Sequence, residues 1–180
     1  SEIADAKAEI FEGLEPGGVA IINGDARHAD RLRAAASRHA AEVLTFGTSS
    51  AADIRLVDLV TEAERSHARI VLGGRTLELS FAAPGRHWAT NGLAVLGTAY
   101  RLGLDLDAAA MRLAGSRPGT GRGAMREIAW GEGALLLQDE SYNANPASMA
   151  AAIEVLGHQR GRRIAVLGDM LELGETAPRL

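Results

Sequence analysis

The stretch VAIINGDARHADRLRAAASRHAAEVLTF, from Val19 to Phe46, decides the fold. Val19-Ala20-Ile21-Ile22 is a short continuous apolar run, the signature of a strand buried on both faces of a parallel sheet. Gly24-Asp25 ends it, and Ala29 to Ala41 is rich in Ala, Arg and Leu, all good helix formers. Glu42 to Phe46 reads as a second strand. Strand, helix, strand in so few residues predicts a βαβ crossover, and with it an α/β sheet.

Upstream, Ile3, Ala6, Ile10 and Leu14 are spaced as the apolar face of an amphipathic helix, which Gly13 and Pro16-Gly17-Gly18 stop. Downstream the pattern changes to β. Asp53 to Val60 and Ala68 to Leu72 have strand composition, and Gly73-Gly74 is a two-residue hairpin turn leading into Arg75 to Phe81. There Leu77, Leu79 and Phe81 alternate with Glu78 and Ser80. These runs predict a small antiparallel sheet added to the α/β domain, closed by Pro84-Gly85.

Trp88 to Leu102 predicts a helix with Leu93, Leu96, Ala99 and Tyr100 on its apolar face and Gly103 as its stop. Asp105 or Asp107 can cap a further helix that ends at Gly115. Ser116 to Gly123 (SRPGTGRG) holds three glycines and a proline in eight residues and is the best linker in the chain. Beyond it, Met125 to Ala129 and Ala134 to Gln138 predict two strands around Gly131-Glu132-Gly133. Asn145 can cap a helix with Pro146 in its first turn, running to about Gly157. Arg163 to Leu167 predicts one more strand.

Composition narrows the classes. The chain has 180 residues, a net charge of −4 and 47% hydrophobic residues, which is globular composition. The mild acidity, without basic clusters among aromatics, argues against a nucleic-acid surface. No apolar run reaches the ~18 residues of a membrane span. The absence of cysteine excludes disulfides, thiolate metal sites and a Cys nucleophile, and fits a reducing cytosol. With neither a start methionine nor a signal peptide, the sequence reads as a piece of something longer.

Several residues can carry chemistry. Ser141-Tyr142-Asn143-Ala144-Asn145-Pro146 follows a strand and opens a helix, where free N–H groups can hold an anion or a peptide terminus, or where Asn145 simply caps. Asp139 and Glu140 can orient a metal, ribose or ammonium group, or be solvated loop acids. Arg122, in the glycine-rich hinge, can reach a phosphate when domains close, or stay solvated. The surrounding glycines are not a phosphate loop, since no Gly-Lys-Ser/Thr follows them. His87 and Asn91 lie four apart on one helix face. The remaining histidines show no metal-ligand spacing.

Five segments in this order resemble the Mur ligases of peptidoglycan synthesis: Ala6 to Leu14 (AKAEIFEGL), Pro84-Gly85-Arg86-His87 with Asn91, Gly121-Arg122-Gly123, Asp139 to Pro146 (DESYNANP) and Val166 to Gly174 (VLGDMLELG). The resemblance covers essentially the whole chain. It implies an α/β fold in which residues 1–118 are the later part of the central parallel-sheet ATP-binding domain, with its small antiparallel sheet. Residues 119–123 would be the hinge, and 124–180 the first half of a Rossmann-like C-terminal domain.

The last two segments point to the member that joins D-Ala-D-Ala to UDP-N-acetylmuramoyl-tripeptide at the expense of ATP, with Mg²⁺, in the bacterial cytoplasm. The phosphate loop, a magnesium-binding acid and a histidine would then lie upstream, and this chain alone would be inactive. By the same resemblance, Lys7 matches a lysine that reacts with CO₂ to a carbamate and supports a metal. Asn91 matches an adenine neighbour, and Arg122 a hinge arginine that meets the γ-phosphate. Glu140 stands where the family commonly has a nucleotide-holding Asp. Tyr142, Asn143 and Asn145 match a loop facing the dipeptide. Trp88 stands where Asn is common and inherits no role. The competing readings are another ATP-dependent amide ligase of this fold, such as a folylpolyglutamate synthase, or a non-catalytic nucleotide- or peptide-binding module.

Overall fold

In the computed structural model, which describes residues 2–171, the stretch from Val19 forms the expected crossover. Strand β1 (Val19–Asn23) runs through helix α2 (Ala29–Ala36) into β2 (Glu42–Gly47), and the two strands pair in parallel from Val19↔Glu42 to Asn23↔Phe46. Both faces of β1 are covered. Ala20 and Ile22 pack with Ala36 on one side, and Val19 and Ile21 join the main core on the other.

The chain then makes a wide turn into β3 (Ile54–Thr61), which meets β2 only at Phe46↔Ile54 and Gly47↔Arg55. Asp53 closes that turn. Its Oδ2 accepts the Thr45 amide at 2.7 Å and the Thr45 hydroxyl at 2.9 Å, so a carboxylate substitutes for a ladder partner. Antiparallel strands β4 (Ser66–Leu72) and β5 (Arg75–Phe81) follow, joined through Gly73 and Gly74 at φ +57° and +76°, values a primed two-residue turn requires. The antiparallel strands do not stand as a sheet of their own. They extend the parallel pair into one mixed sheet of order β1-β2-β3-β4-β5.

A register shift between Leu56 and Asp58 explains how IRLVDLV serves one core. Strict alternation from Ile54 and Leu56 would turn Asp58 inward. The bulge skips a residue and returns Leu59 to the core face. The opposite face of this antiparallel half is polar, with Arg69 bridging Asp58 (3.3 Å) and Glu78 (3.1 Å).

Helices α3 (Arg86–Arg101) and α4 (Leu106–Ala114) cover the core face. Leu93 and Leu96 lie among Ile54, Ile70, Leu72 and Phe81, all essentially solvent-free. Tyr100, expected on the apolar face, is half-exposed, and its ring covers the Gly73 turn instead. Asp105 caps α4, accepting the amides of Asp107 and Ala108.

After the linker comes a separate two-stranded hairpin, β6 (Ala124–Trp130) and β7 (Gly133–Asp139), and then α5 (Pro146–Gly157). Helix α5 seats on the sheet domain. Val155 is buried against Gly85 and His87, and the Gln159 side chain donates to the Ala63 carbonyl at 2.7 Å.

Three further expectations are corrected. The first helix, α1 (Glu2–Ala8), passes into a 3₁₀ turn at Glu9–Gly13. The buried face is not the expected stripe: Ala4 is the buried residue of α1, and past the tighter 3₁₀ turn Phe11 and Leu14 pack inward, while Ile3 and Ile10 are 70% and 75% exposed. Helix α2 stops at Ala36 rather than Ala41, because the Ser37 hydroxyl bonds back to the Arg33 carbonyl and the Ala41 amide already donates to Gly18 beside β1. Arg163 to Leu167 forms no strand. A strand persists only in a ladder, and among the described residues none pairs with it, so Val166 is 94% exposed. The end of the Gly168–Gly174 segment, from Glu172, lies outside the described residues.

Gly92 faces the Phe81 ring so closely that an added Cβ would lie 2.7 Å from two ring carbons. Alanine gains about 1 kcal/mol of helix propensity, but overpacking a rigid buried ring costs roughly 1–3 kcal/mol. Gly92→Ala is therefore expected to lower the denaturant midpoint. A raised midpoint would mean that α3 can retreat from the sheet at little cost.

Candidate functional site

The linker and the β7–α5 loop meet around one carboxylate. Asp139, the last residue of β7, accepts the Gly121 amide on Oδ2 at 3.2 Å. Its Oδ1 accepts the Ser141 amide at 3.2 Å and the Ser141 hydroxyl at 2.6 Å. Its main-chain carbonyl accepts the Gly123 amide at 2.8 Å, and the Tyr142 amide returns a bond to the Gly121 carbonyl at 3.1 Å. The bonds from Ser141, then that from Gly121, hold the Asp139 carboxyl below the ordinary carboxylate range. The arrangement is thus present at neutral pH and lost only as pH falls through that lowered value.

Between these tied glycines sits Arg122, its guanidinium carbon 4.0 Å from the centroid of the Tyr142 ring. Gly121 and Gly123 have φ of +73° and +92°, and both need to be glycine for contact reasons as well. A Cβ on Gly121 would fall 2.9 Å from the Tyr142 Cβ, and one on Gly123 3.1 Å from Glu140 Oε1. Glu140 is half-buried and accepts the Gln138 side-chain amide at 3.0 Å.

Tyr142 and Asn143 are exposed, and Asn143 Oδ1 accepts the Ala144 amide at 2.9 Å. Asn145 caps α5 through a capping box, with its Oδ1 on the Ser148 amide at 3.0 Å and its own amide on the Ser148 hydroxyl at 2.9 Å. Both asparagines therefore spend their side-chain oxygen locally and keep the Nδ2 to donate. A cleft of about 1080 Å³ opens beside the loop, lined by Arg126, Asp139, Glu140, Tyr142, Asn143 and Asn145 and closed opposite by α5 and residues 164–171.

His87 stands on the sheet-domain side of the α5 contact. Its Nδ1 is buried and unbonded, and burial lowers its pKa from the ordinary 6.5, against the raising pull of Glu140 and Glu154. The imidazole is neutral at pH 7, and Glu140 is close enough to act on it electrostatically. Asn91 lies exposed one turn further along α3.

The structure thus gathers Arg122, Glu140, Tyr142, Asn143 and Asn145 around the linker, and leaves Lys7 elsewhere. Lys7 is exposed beside a separate groove of about 320 Å³, lined by Ile10, Phe11, Leu14 and the residues of β1 as far as Asn23. Among the described residues no three His, Cys, Asp or Glu side chains come together as a metal site. No described helix is long and apolar enough to cross a membrane.

One polar cluster was not anticipated. At the carboxyl ends of β1 and β2, Asp25 Oδ2 accepts the Thr48 amide (2.8 Å) and hydroxyl (3.1 Å), and Asn23 Oδ1 accepts the Asp25 amide (3.0 Å). Gly47 has no room for a Cβ beside that carboxylate. The available signal was Asn-Gly-Asp directly after an apolar strand, in the position where α/β sheets place polar loops. The anchoring by Asp139 was equally missed, although an Asp two residues before a Ser at a strand end is an Asx-turn signal.

Known proteins agree with this architecture. The chain is 35% identical to the UDP-N-acetylmuramoyl-tripeptide–D-alanyl-D-alanine ligase of Escherichia coli over 96% of its length, which is 37% of that protein. It superimposes on a crystal structure of MurF from Acinetobacter baumannii with a TM-score of 0.87 at 28% identity, covering 98% of this chain and 37% of that one. It superimposes on the MurF ligase of Thermotoga maritima in complex with ADP with a TM-score of 0.82 at 26% identity, covering 98% and 39%. The chain therefore spans well under half the length of these relatives. Residues 1–99 match the Mur ligase middle domain, so the chain belongs to the Mur ligase family.

Proposed function

We propose that this chain is part of an ATP-dependent, ADP-forming ligase of the bacterial cytoplasm that adds D-Ala-D-Ala to UDP-N-acetylmuramoyl-tripeptide in peptidoglycan precursor synthesis. The observation that carries the reading is the convergence of the hinge arginine, Arg122, with the Ser141–Pro146 loop, one cationic and one amide-rich, at a linker between two units. The name of the Escherichia coli relative supports it. Residues 1–118 would be the later part of the central domain, 119–123 the hinge and 124–180 the start of the C-terminal domain.

The chemistry explains why such groups are needed. A carboxylate is a poor acyl donor, so its oxygen first attacks the γ-phosphorus of ATP and ADP leaves. The free amine of D-Ala-D-Ala then attacks the acyl carbon, loses a proton and expels phosphate, leaving an amide. Both steps crowd negative charge, which positioned cations and N–H donors stabilise. Arg122 would meet the γ-phosphate, its charge already desolvated on one face by Tyr142. Glu140 and Asn91 would hold the nucleoside. The Nδ2 groups of Asn143 and Asn145, with Tyr142, would receive the dipeptide and its terminal carboxylate.

The described residues contain no phosphate loop and do not by themselves make a magnesium site. Lys7 is exposed, so CO₂ can reach its amine, and as a carbamate it would offer oxygen where an ammonium stood.

Two outcomes follow in the protein extended to the length of its relatives. Lys7→Ala is expected to lower kcat roughly a hundredfold, as loss of one charge-stabilising group does, with little change in the KM for ATP. Bicarbonate or short carboxylic acids should restore part of it, and unchanged turnover would remove Lys7 from the site. Asn143→Ala is expected to raise the KM for D-Ala-D-Ala roughly five- to tenfold, the effect of about one hydrogen bond, and that for ATP much less. Equal shifts for both substrates would assign the loop to structure or to the nucleotide.

A further inference from the structure

We propose that Asp139 is a positioning residue whose carboxylate clasps the glycine hinge to the β7–α5 loop, so that Arg122 is held over Tyr142. This rests on the reading of Arg122 and the loop given above, and adds a residue to which that reading gives no role.

The two carboxylate oxygens serve different segments. Oδ1 belongs to the loop, through the Ser141 amide and hydroxyl. Oδ2 belongs to the hinge, through the Gly121 amide. The Asp139 carbonyl takes the Gly123 amide, so residues on both sides of Arg122 are tied to the same residue. The return bond from Tyr142 to Gly121 closes the clasp and brings the ring under the guanidinium. The Gly121 bond goes to an ionised acceptor, which makes it about twice as strong as a neutral one and suits a latch on an otherwise loose linker. Without it, a linker with glycines at 119, 121 and 123 would leave Arg122 many conformations to lose on each turnover.

Asp139→Asn separates the two halves of the clasp. Its amide oxygen still accepts from Ser141, but its NH₂ meets the Gly121 N–H donor to donor. In the protein extended to the length of its relatives and labelled with ¹⁵N-glycine and ¹⁵N-serine, the Gly121 amide of the variant should exchange roughly tenfold faster, the loss of one charge-assisted hydrogen bond. The Ser141 amide, which keeps its acceptor and loses only the charge assistance, should accelerate less than Gly121, and Gly92 and Gly97 in α3 report that the fold is intact. In the same variant kcat/KM for ATP should fall roughly tenfold, while the KM for D-Ala-D-Ala moves less than twofold.

Unchanged Gly121 exchange would overturn the proposal. So would faster exchange with an unmoved kcat/KM for ATP, because the bond would then exist without positioning Arg122. If the unsubstituted protein forms no ligated product, the functional reading fails, and the exchange rates alone then decide whether the clasp exists.

Discussion

Helix α3 lies close against the mixed sheet, and the rest of the molecule is arranged around that approach. The helix crosses both the parallel and the antiparallel halves, so one set of side chains must serve two strand geometries. Leu93 and Leu96 do so by packing among Ile54, Ile70, Leu72 and Phe81. The close distance exists because Gly92 presents no Cβ to Phe81 and Gly97 none to Ile54. Interiors at this density do not deform continuously, so the position of α3 is fixed to a fraction of an ångström.

That position carries outward to the candidate site. The first turn of α3 bears His87, and the preceding Gly85 admits both the His87 ring and Val155 of α5. Burying Val155 there, with the Gln159 bond to Ala63, docks α5. Docking α5 in turn places its capped N-terminus and the loop before it. The glycine-rich linker is tied to the same loop from the other side by Asp139. The linker is therefore rich in glycine yet held in one arrangement by these bonds.

Much of the secondary structure was legible because it is written in local chemistry. The crossover from Val19 to Phe46, the Gly73-Gly74 turn, and the caps at Asp105 and Asn145 depend on φ preferences and on side-chain oxygens within three residues of their targets. Readings that assumed a single period or a distant partner went astray. The 3₁₀ turn after Ala8 exposes Ile10, and Arg163 to Leu167 has strand composition but no ladder among the described residues. Of the candidate site, the loop and the arginine could be named from spacing. Their stacking could not, since Arg122 and Tyr142 are twenty positions apart.

The sequence by itself determined the βαβ crossover, the tight turns and the helix caps, and which residues have the chemistry to hold an anion, a nucleotide or a peptide end. Those properties reside in backbone preferences and functional groups that do not depend on distant partners. Only the tertiary structure decided that the antiparallel strands continue the parallel pair, that Leu59 rejoins the core through a bulge, and that Asp139 ties two segments at once. Each of these turns on a long-range hydrogen bond or on close packing, whose energy exists only once the whole chain has brought the partners together.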